Sequence, residues 1–376
     1  MALLSNAGSF PPIKFSYFEN EFGSNPTRSI GAYRVSETIG GLTVPTIGWT
    51  KFGSAPIPNS GAIKFSDFYR KMAIIVVDLH SGSATTRKNV RSEFNSGNVR
   101  VVGGFGSINT GDTAAPNGPG TVRGKYVIAR VNKTIGSVKR NNNKSRVALR
   151  TGGWDANTEL EINIGSDGKL YGAGGDGGNG GWGHDPKGSG GAGVRNNAPN
   201  NATSALGIEY FSGNATKIIN GGRIQCGYGG GGGGGHAAKD PDKGKCSTCD
   251  PSQGGSGGGG GAGYPNGSGG TGSTAGTGGN DGNDSTNTVH GDGGAATTNP
   301  AKEGVAQGGA GGDGADENQA ASQGSNSSGS YGGQDEANGG AIGYNGDAIR
   351  VISGSGSYSL SGNAAIGNVV TGSSVS

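Results

Sequence analysis

The sequence predicts a mainly β protein with three parts: a small irregular N-terminal module, a β-sandwich, and a sandwich of polyglycine-II-type helices with polar loops. Three observations support this prediction. Glycine accounts for 85 of the 376 residues, and 59 of these glycines lie between residues 166 and 346. Segments on both sides of that window alternate apolar and polar residues with the period of two that is typical of strands. No apolar pattern of helical period extends over a useful length.

Residues 1–71 form the irregular module. IKFSYF (13–18) recurs as IKFSDF (63–68), and Ser16 followed by Glu19 fits a capping box. The sequence between the two copies is rich in turn residues, so we expect a small unit without a large core.

Residues 72–165 are predicted to form the β-sandwich. In TELEINIG (158–165), the apolar residues alternate with Glu159, Glu161 and Asn163, so the two glutamates are expected on the same, solvated face. The other strand-like segments are AIIVVDL (73–79), NVRVVGGF (98–105) and VRGKYVIARV (122–131).

Residues 166–346 contain glycine runs separated by polar loops. Extended helices with three residues per turn have no internal hydrogen bonds, so their peptide groups need partners on neighbouring chains. Only glycine allows backbones to approach that closely, and several separate runs would build such an array. Residues 347–376 resume a strand pattern in DAIRVI (347–352) and SYSLSGNAAIGNVV (357–370), which argues against a loose tail.

The charge distribution divides the chain. Residues 1–165 hold 20 Lys and Arg against 10 Asp and Glu, whereas residues 166–376 hold 10 against 17. The basic residues are interspersed without a nucleic-acid-binding motif, so we expect no nucleic-acid partner. The most apolar run is too short to cross a bilayer, so we expect no membrane insertion, and MALLSNAGSF lacks the features of a signal peptide.

Parts of the sequence resemble tailed-phage virion proteins. IPNSGAIKFSDFYR (57–70) is similar to a short segment common in tail-fibre proteins. Residues 131–181 and 204–235, with their glycine runs, resemble the glycine-rich distal region of phage fibres and the tip adhesins of T-even phages. Those adhesins attach to a separate fibre, whereas this chain carries its own basic β module.

The resemblance implies a virion tail-fibre protein, made in the host cytoplasm, that binds the host surface through loops on a polyglycine-II scaffold. It implies that residues 1–71 dock to the virion and that the glycine region at 166–346 faces the receptor, while the β-sandwich at 72–165 and the C-terminal strands at 347–376 rest on the residue patterns. The implied partners are a host surface polysaccharide or outer-membrane protein, other tail or fibre proteins, and further copies of the chain, a trimer by analogy. Its receptor-binding candidates are Trp182, His184, His236, Tyr264, Asn266, Asp284, His290, Asn326 and Tyr331.

Two alternative functions remain open from sequence. One is a purely structural neck, collar or capsid fibre, and the other is a polysaccharide-degrading tailspike. No pair of carboxylates stands out at the spacing that glycoside hydrolysis requires, so we expect no enzymatic activity and no cofactor. Cys226, Cys246 and Cys249 could form a disulfide, bind zinc with His236, or remain free thiols.

Overall fold

The computed structural model describes most of the β region and most of the glycine runs. The described residues are 30–31, 36–39, 42–45, 47–48, 61–64, 72–79, 86–96, 99–101, 126–139, 146–154, 158–181, 201–209, 216–236, 255–273, 279–298, 307–328, 338–352 and 357–372. The predicted capping box at Ser16 and most of the predicted repeat lie outside them.

Strands make up nearly all the regular structure of these residues. They are β1 (Ser36–Ile39), β2 (Leu42–Pro45), β3 (Ile47–Gly48), β4 (Met72–Asp78), β5 (Lys88–Asn89), β6 (Val99–Val101), β7 (Tyr126–Val131), β8 (Thr134–Gly136), β9 (Val147–Arg150), β10 (Glu159–Ile164), β11 (Lys169–Tyr171), β12 (Ser204–Ile208), β13 (Thr216–Asn220), β14 (Arg223–Gln225), β15 (Thr297–Thr298), β16 (Gln307–Gly308), β17 (Asp347–Ile352), β18 (Tyr358–Gly362) and β19 (Asn368–Gly372). One short α-helix, α1 (Val90–Asn95), begins after Asn89, whose side chain accepts a hydrogen bond from the Ser92 N–H at 3.1 Å. The mainly β prediction is confirmed.

Most strands belong to a parallel β-helix with three faces. Parallel pairing gives the order β18–β13–β10–β7–β4 on the first face, β14–β11–β8 on the second and β19–β17–β12–β9–β5 on the third. Isolated bridges extend the second face at both ends, through Thr86 and Ile366. Three strands in sequence, such as β7, β8 and β9, therefore make one coil of the stack. β3 and β6 pair antiparallel with β4, and β1 pairs antiparallel with β2.

The core fills the interior of the β-helix. Side chains alternate along each strand, and in β10 the inward residues Leu160, Ile162 and Ile164 are buried in one apolar cluster. Phe94 of α1 joins this cluster and packs edge-on against Trp154, with ring centroids 5.3 Å apart. The helix thus contributes its apolar face to the same core.

The strand pairing differs from the sandwich predicted for residues 72–165. β10 pairs with β13, and β9 pairs with β12, so the sheets continue into residues 204–225 and 347–372. The sequence indicates which face of a strand is buried but contains no equally direct signal for which strand pairs with it. The prediction of a solvated face was wrong for Glu161, which is only 5% exposed, and Asn163 on the same face is 6% exposed.

The glycine-rich sequence is inserted into two successive coils. Residues 172–203 lie between β11 and β12, and residues 226–346 lie between β14 and β17. Each insertion leaves the second face and rejoins the third. Among the described residues, nine extended runs result, at 172–181, 226–236, 255–263, 267–273, 279–286, 290–296, 308–316, 319–328 and 338–346.

The central run, residues 255–263, is hydrogen-bonded on all sides. Its successive peptide N–H groups donate in rotation to runs 172–181, 308–316 and 279–286, with N···O distances of 2.8 to 3.3 Å. Its carbonyl oxygens accept from runs 226–236, 267–273 and 290–296. A donor direction that repeats every third residue is the geometry of a helix with three residues per turn. The backbone therefore holds the array together, as the glycine runs predicted.

Candidate functional site

The runs alternate in direction, so the array has two ends with different surroundings. At the base end, residues 172 and 226 continue from β11 and β14, and residue 346 leads into β17. The far end is the opposite end of the same runs, away from those strands. Runs 226–236 and 255–263 pair antiparallel, with Tyr228 bonded to Ala262 and Gly234 bonded to Ser256. Each turn of the chain can therefore be assigned to one end.

The far end brings together the boundaries of segments that are remote in sequence. Gly255 N donates to Gly181 O at 3.2 Å, Ser273 N donates to Gly255 O at 3.0 Å, and Gly235 N donates to Ser325 O at 3.0 Å. The connections 237–254, 274–278, 299–306 and 329–337 start and finish at this end, and 182–200 starts here. These five segments lie outside the described residues, but their attachment points converge.

The base end carries short turns that contact the β-helix. Tyr264 lies against Gly136 of β8, where an added Cβ would come within 3.0 Å of it. Gln225 Nε2 donates to Asn287 O at 3.3 Å. Arg223 of β14 forms an ion pair with Glu317 at 2.6 Å. These turns therefore hold the array on its base.

The outer runs are those around the central run, at 172–181, 279–286 and 308–316. Their polar side chains supply acceptors for peptide groups that face away from the array centre. Asp176 Oδ1 accepts from Ser268 N at 2.8 Å and from Lys139 Nζ at 2.7 Å. Three residues later, Asn179 Oδ1 accepts from Thr271 N at 3.0 Å. The same arrangement recurs with Asp281 on Gly272, Asp284 on Gly269 and Asp313 on Gly293, at 2.7 to 2.8 Å. Sequence reasoning missed this role, although the spacing of three between Asp176 and Asn179, and between Asp281 and Asp284, is a visible signal.

Four of the predicted receptor-binding residues lie near the base end or on an outer run, with defined structural partners. Asn266 Nδ2 donates to Ser285 O at 2.6 Å. His290 Nδ1 is paired with Asp316 Oδ2 at 2.7 Å. Tyr264 contacts Gly136, and Asp284 holds Gly269, as described above.

The other candidates belong to the far end or fall outside the described residues. His236 is the last described residue of its run and is 6% exposed, whereas Asn326 is exposed and accepts from Gly339 N at 2.9 Å. Trp182, His184, Tyr331, Cys246 and Cys249 lie outside the described residues. The six candidates among the described residues therefore fall into two groups rather than one site.

Cys226 is a buried free thiol at the base end, in a cluster with Tyr228, Ala262 and Ala315. Burial raises its pKa to about 12, against a hydrogen bond with Tyr228 that lowers it. His236 ends the same extended run, roughly 30 Å away at ~3.1 Å per residue. The alternative of a zinc site that includes both residues is therefore wrong, because zinc ligands lie about 2 Å from the metal. Within the described residues, no group of three or more His, Cys, Asp or Glu side chains could hold a metal ion.

The pair formed by His290 and Asp316 ties two base-end turns together. Burial pushes the pKa of Asp316 upward. Hydrogen bonds from the His290 side chain and from the N–H groups of Asn318, His290 and Gln319 outweigh it, leaving the pKa below its ordinary value. Asp316 therefore acts as an ionised brace between the two turns.

Comparisons with known proteins gave one similar structure. No protein-family model matches the chain, and no curated protein matches it. The similar structure is a chain in the crystal structure of the gp37–gp38 adhesin tip complex of the bacteriophage S16 long tail fibre, with 17% identity over 81% of this chain and 86% of that chain and a TM-score of 0.34. Among the residues that the structure describes, no helix is long and apolar enough to cross a bilayer. The chain is thus similar, at low identity, to part of a phage fibre tip.

Proposed function

We propose that this protein is a phage tail-fibre component that binds the host surface through the segments attached at the far end of its glycine array. The observation that carries the proposal is the convergence of five connections, which differ in sequence, on one end of a backbone-held scaffold. Loops placed on a rigid scaffold are the usual location of binding residues.

The glycine array suits this role because its order does not depend on the loop sequences. Peptide groups of the inner runs bond to each other, and the outer runs are braced by their own Asp and Asn side chains. Changes in the far-end connections would leave these bonds intact. Receptor specificity could therefore vary without loss of the fold.

The proposed ligand is a host surface polysaccharide or an outer-membrane protein. The far-end connections are polar and include aromatic residues at Trp182 and Tyr331, which suits contacts with sugar rings and hydroxyl groups. Several copies on one virion would raise a weak affinity through avidity. The proposal includes association with other fibre proteins and a trimeric assembly. It includes no enzymatic activity.

Binding of labelled protein to host cells tests the proposal. Replacement of residues 237–254 by a glycine–serine linker of equal length should remove most of the binding. The matched control replaces the base-end turn 287–289 in the same way and should bind like the wild type. Both variants must retain the circular dichroism spectrum of the wild type. Unchanged binding by the far-end variant, or lost binding by the base-end variant, would overturn the assignment.

A further inference from the structure

A polar cluster around two buried side chains spans the outer side of the first β-helix face, where strands β7, β10 and β13 lie side by side. Glu161 and Lys217 are direct partners in the register of β10 and β13. Asn163 lies two residues further along β10, and therefore on the same side. Glu161 and Asn163 are 5% and 6% exposed, and the Lys217 side chain is 52% exposed.

Glu161 joins an amine to a carboxamide. Its Oε2 atom accepts from Lys217 Nζ at 3.0 Å, and its Oε1 atom accepts from Asn163 Nδ2 at 2.9 Å. One buried carboxylate thus contacts both a nucleophile and the nitrogen that would leave the amide. The two nitrogen atoms are held by the two oxygens of the same carboxylate, and their residues are diagonal neighbours on adjacent strands.

The carbonyl oxygen of the Asn163 amide also has a hydrogen-bond partner. Arg130 Nη1 of β7 donates a hydrogen bond to Asn163 Oδ1, so a cation polarises the carbonyl and would stabilise negative charge on its oxygen. Tyr126 donates to Glu161 Oε2 at 2.9 Å. Burial, and then the charge of Glu161, raises the pKa of this phenol, so Tyr126 stays a donor to the carboxylate.

We propose that Lys217 and Asn163 form an intramolecular isopeptide bond, with Glu161 carrying the protons. Glu161 takes a proton from the Lys217 ammonium, and the Nζ lone pair attacks Asn163 Cγ. The Cγ–Nδ2 bond breaks as Glu161 returns protons to the leaving nitrogen. Two protons leave Nζ in total, and the products are a secondary amide and one ammonium ion. No oxidant, reductant or cofactor is required.

The bond would link two successive coils of the β-helix. β10 leads into the coil that carries the insertion 172–203, and β13 leads into the coil that carries 226–346. A covalent link between these strands would stop the two coils from separating when force is applied to the array. This inference does not depend on the proposed function.

Intact-mass spectrometry of the folded protein tests the proposal. The wild type should lose the mass of one ammonia, and fragmentation should place the link between Asn163 and Lys217. Lys217→Arg and Glu161→Gln should retain the full sequence mass. Lys169→Arg is the matched control, because Lys169 is an exposed lysine on another face, and it should show the wild-type loss.

Asn163→Asp provides a second measurement. Its carboxyl would expel water instead of ammonia, so the variant should end at the same final mass as the linked wild type. A wild-type protein that keeps its full sequence mass after prolonged incubation in the folded state would overturn the proposal. A link mapped to any other pair of residues would overturn it as well.

Discussion

Substitution of Gly258 by alanine tests whether close backbone packing holds the glycine array together. Gly258 lies in the middle of the central run, where its N–H donates to Gly178 O at 2.8 Å and its carbonyl accepts from Gly270 N at 2.7 Å. A Cβ added there would lie under 3.0 Å from the backbone of Gly231 and Gly232. Those atoms belong to the neighbouring inner run and have no side-chain freedom with which to move away.

The expected cost follows from this geometry. Nonbonded heavy atoms prefer separations of about 3.5–4.0 Å, so the two runs must move apart by about 1 Å. That movement breaks the bond from Gly231 N to Gly259 O, now 2.8 Å, at about 1–3 kcal/mol for buried groups. Overpacking adds about 1–3 kcal/mol, and reduced freedom of the unfolded chain offsets about 0.4–1 kcal/mol. The net loss of unfolding free energy should be about 1–6 kcal/mol.

Hydrogen exchange of the run amides, combined with urea unfolding, measures this loss. Gly153→Ala is the control, because an added Cβ there meets nothing within 4 Å. The control should be neutral or stabilise the protein by up to about 1 kcal/mol. Equal unfolding free energies for Gly258→Ala and Gly153→Ala, within about 0.5 kcal/mol, would refute the packing argument.

Three further predictions follow from side chains in the array. Asp284→Ala should cost about 0.5–1.5 kcal/mol of unfolding free energy because Gly269 N loses its acceptor. Asp284→Asn keeps an acceptor oxygen and should cost less. Equal losses for the two variants in urea unfolding would contradict this role of Asp284. Cys226 should resist alkylation at pH 8 in the folded protein and react after unfolding, since its pKa is raised to about 12. Rapid labelling of Cys226 in the native protein, detected by peptide mapping, would contradict this prediction. The lowered pKa of Asp316 stabilises the fold above the unfolded value near 3.8, and this contribution is lost as pH falls through the folded value. Asp316→Asn should therefore lose less stability than the wild type between pH 5 and 3 in acid unfolding, and equal slopes would count against the His290 brace.

The strands themselves could be predicted from sequence with good accuracy. DAIRVI was predicted at 347–352, and β17 spans Asp347–Ile352. The alternation in TELEINIG identified Leu160, Ile162 and Ile164 as buried residues. Such local patterns succeed because the residue itself carries the preference for an apolar environment.

The candidate site was less predictable. Tyr264 and His290 appear in polar, turn-like sequence and look like exposed recognition residues, but they hold base-end turns in place. A turn at either end of an extended run has the same composition, so composition cannot assign it to an end. The direction of each run decides that, and direction emerges only when the runs are paired.

The sequence by itself determined that the chain is mainly β and that an ordered glycine region has to be held by backbone hydrogen bonds, because removal of side chains leaves nothing else to pack. The tertiary structure alone decided that strands far apart in the chain stack as one parallel β-helix and that Glu161 and Asn163 become buried. It also decided which connections meet at the far end. These features depend on pairing between remote segments, and the hydrogen-bonding groups that make the pairing are the same in every residue except proline.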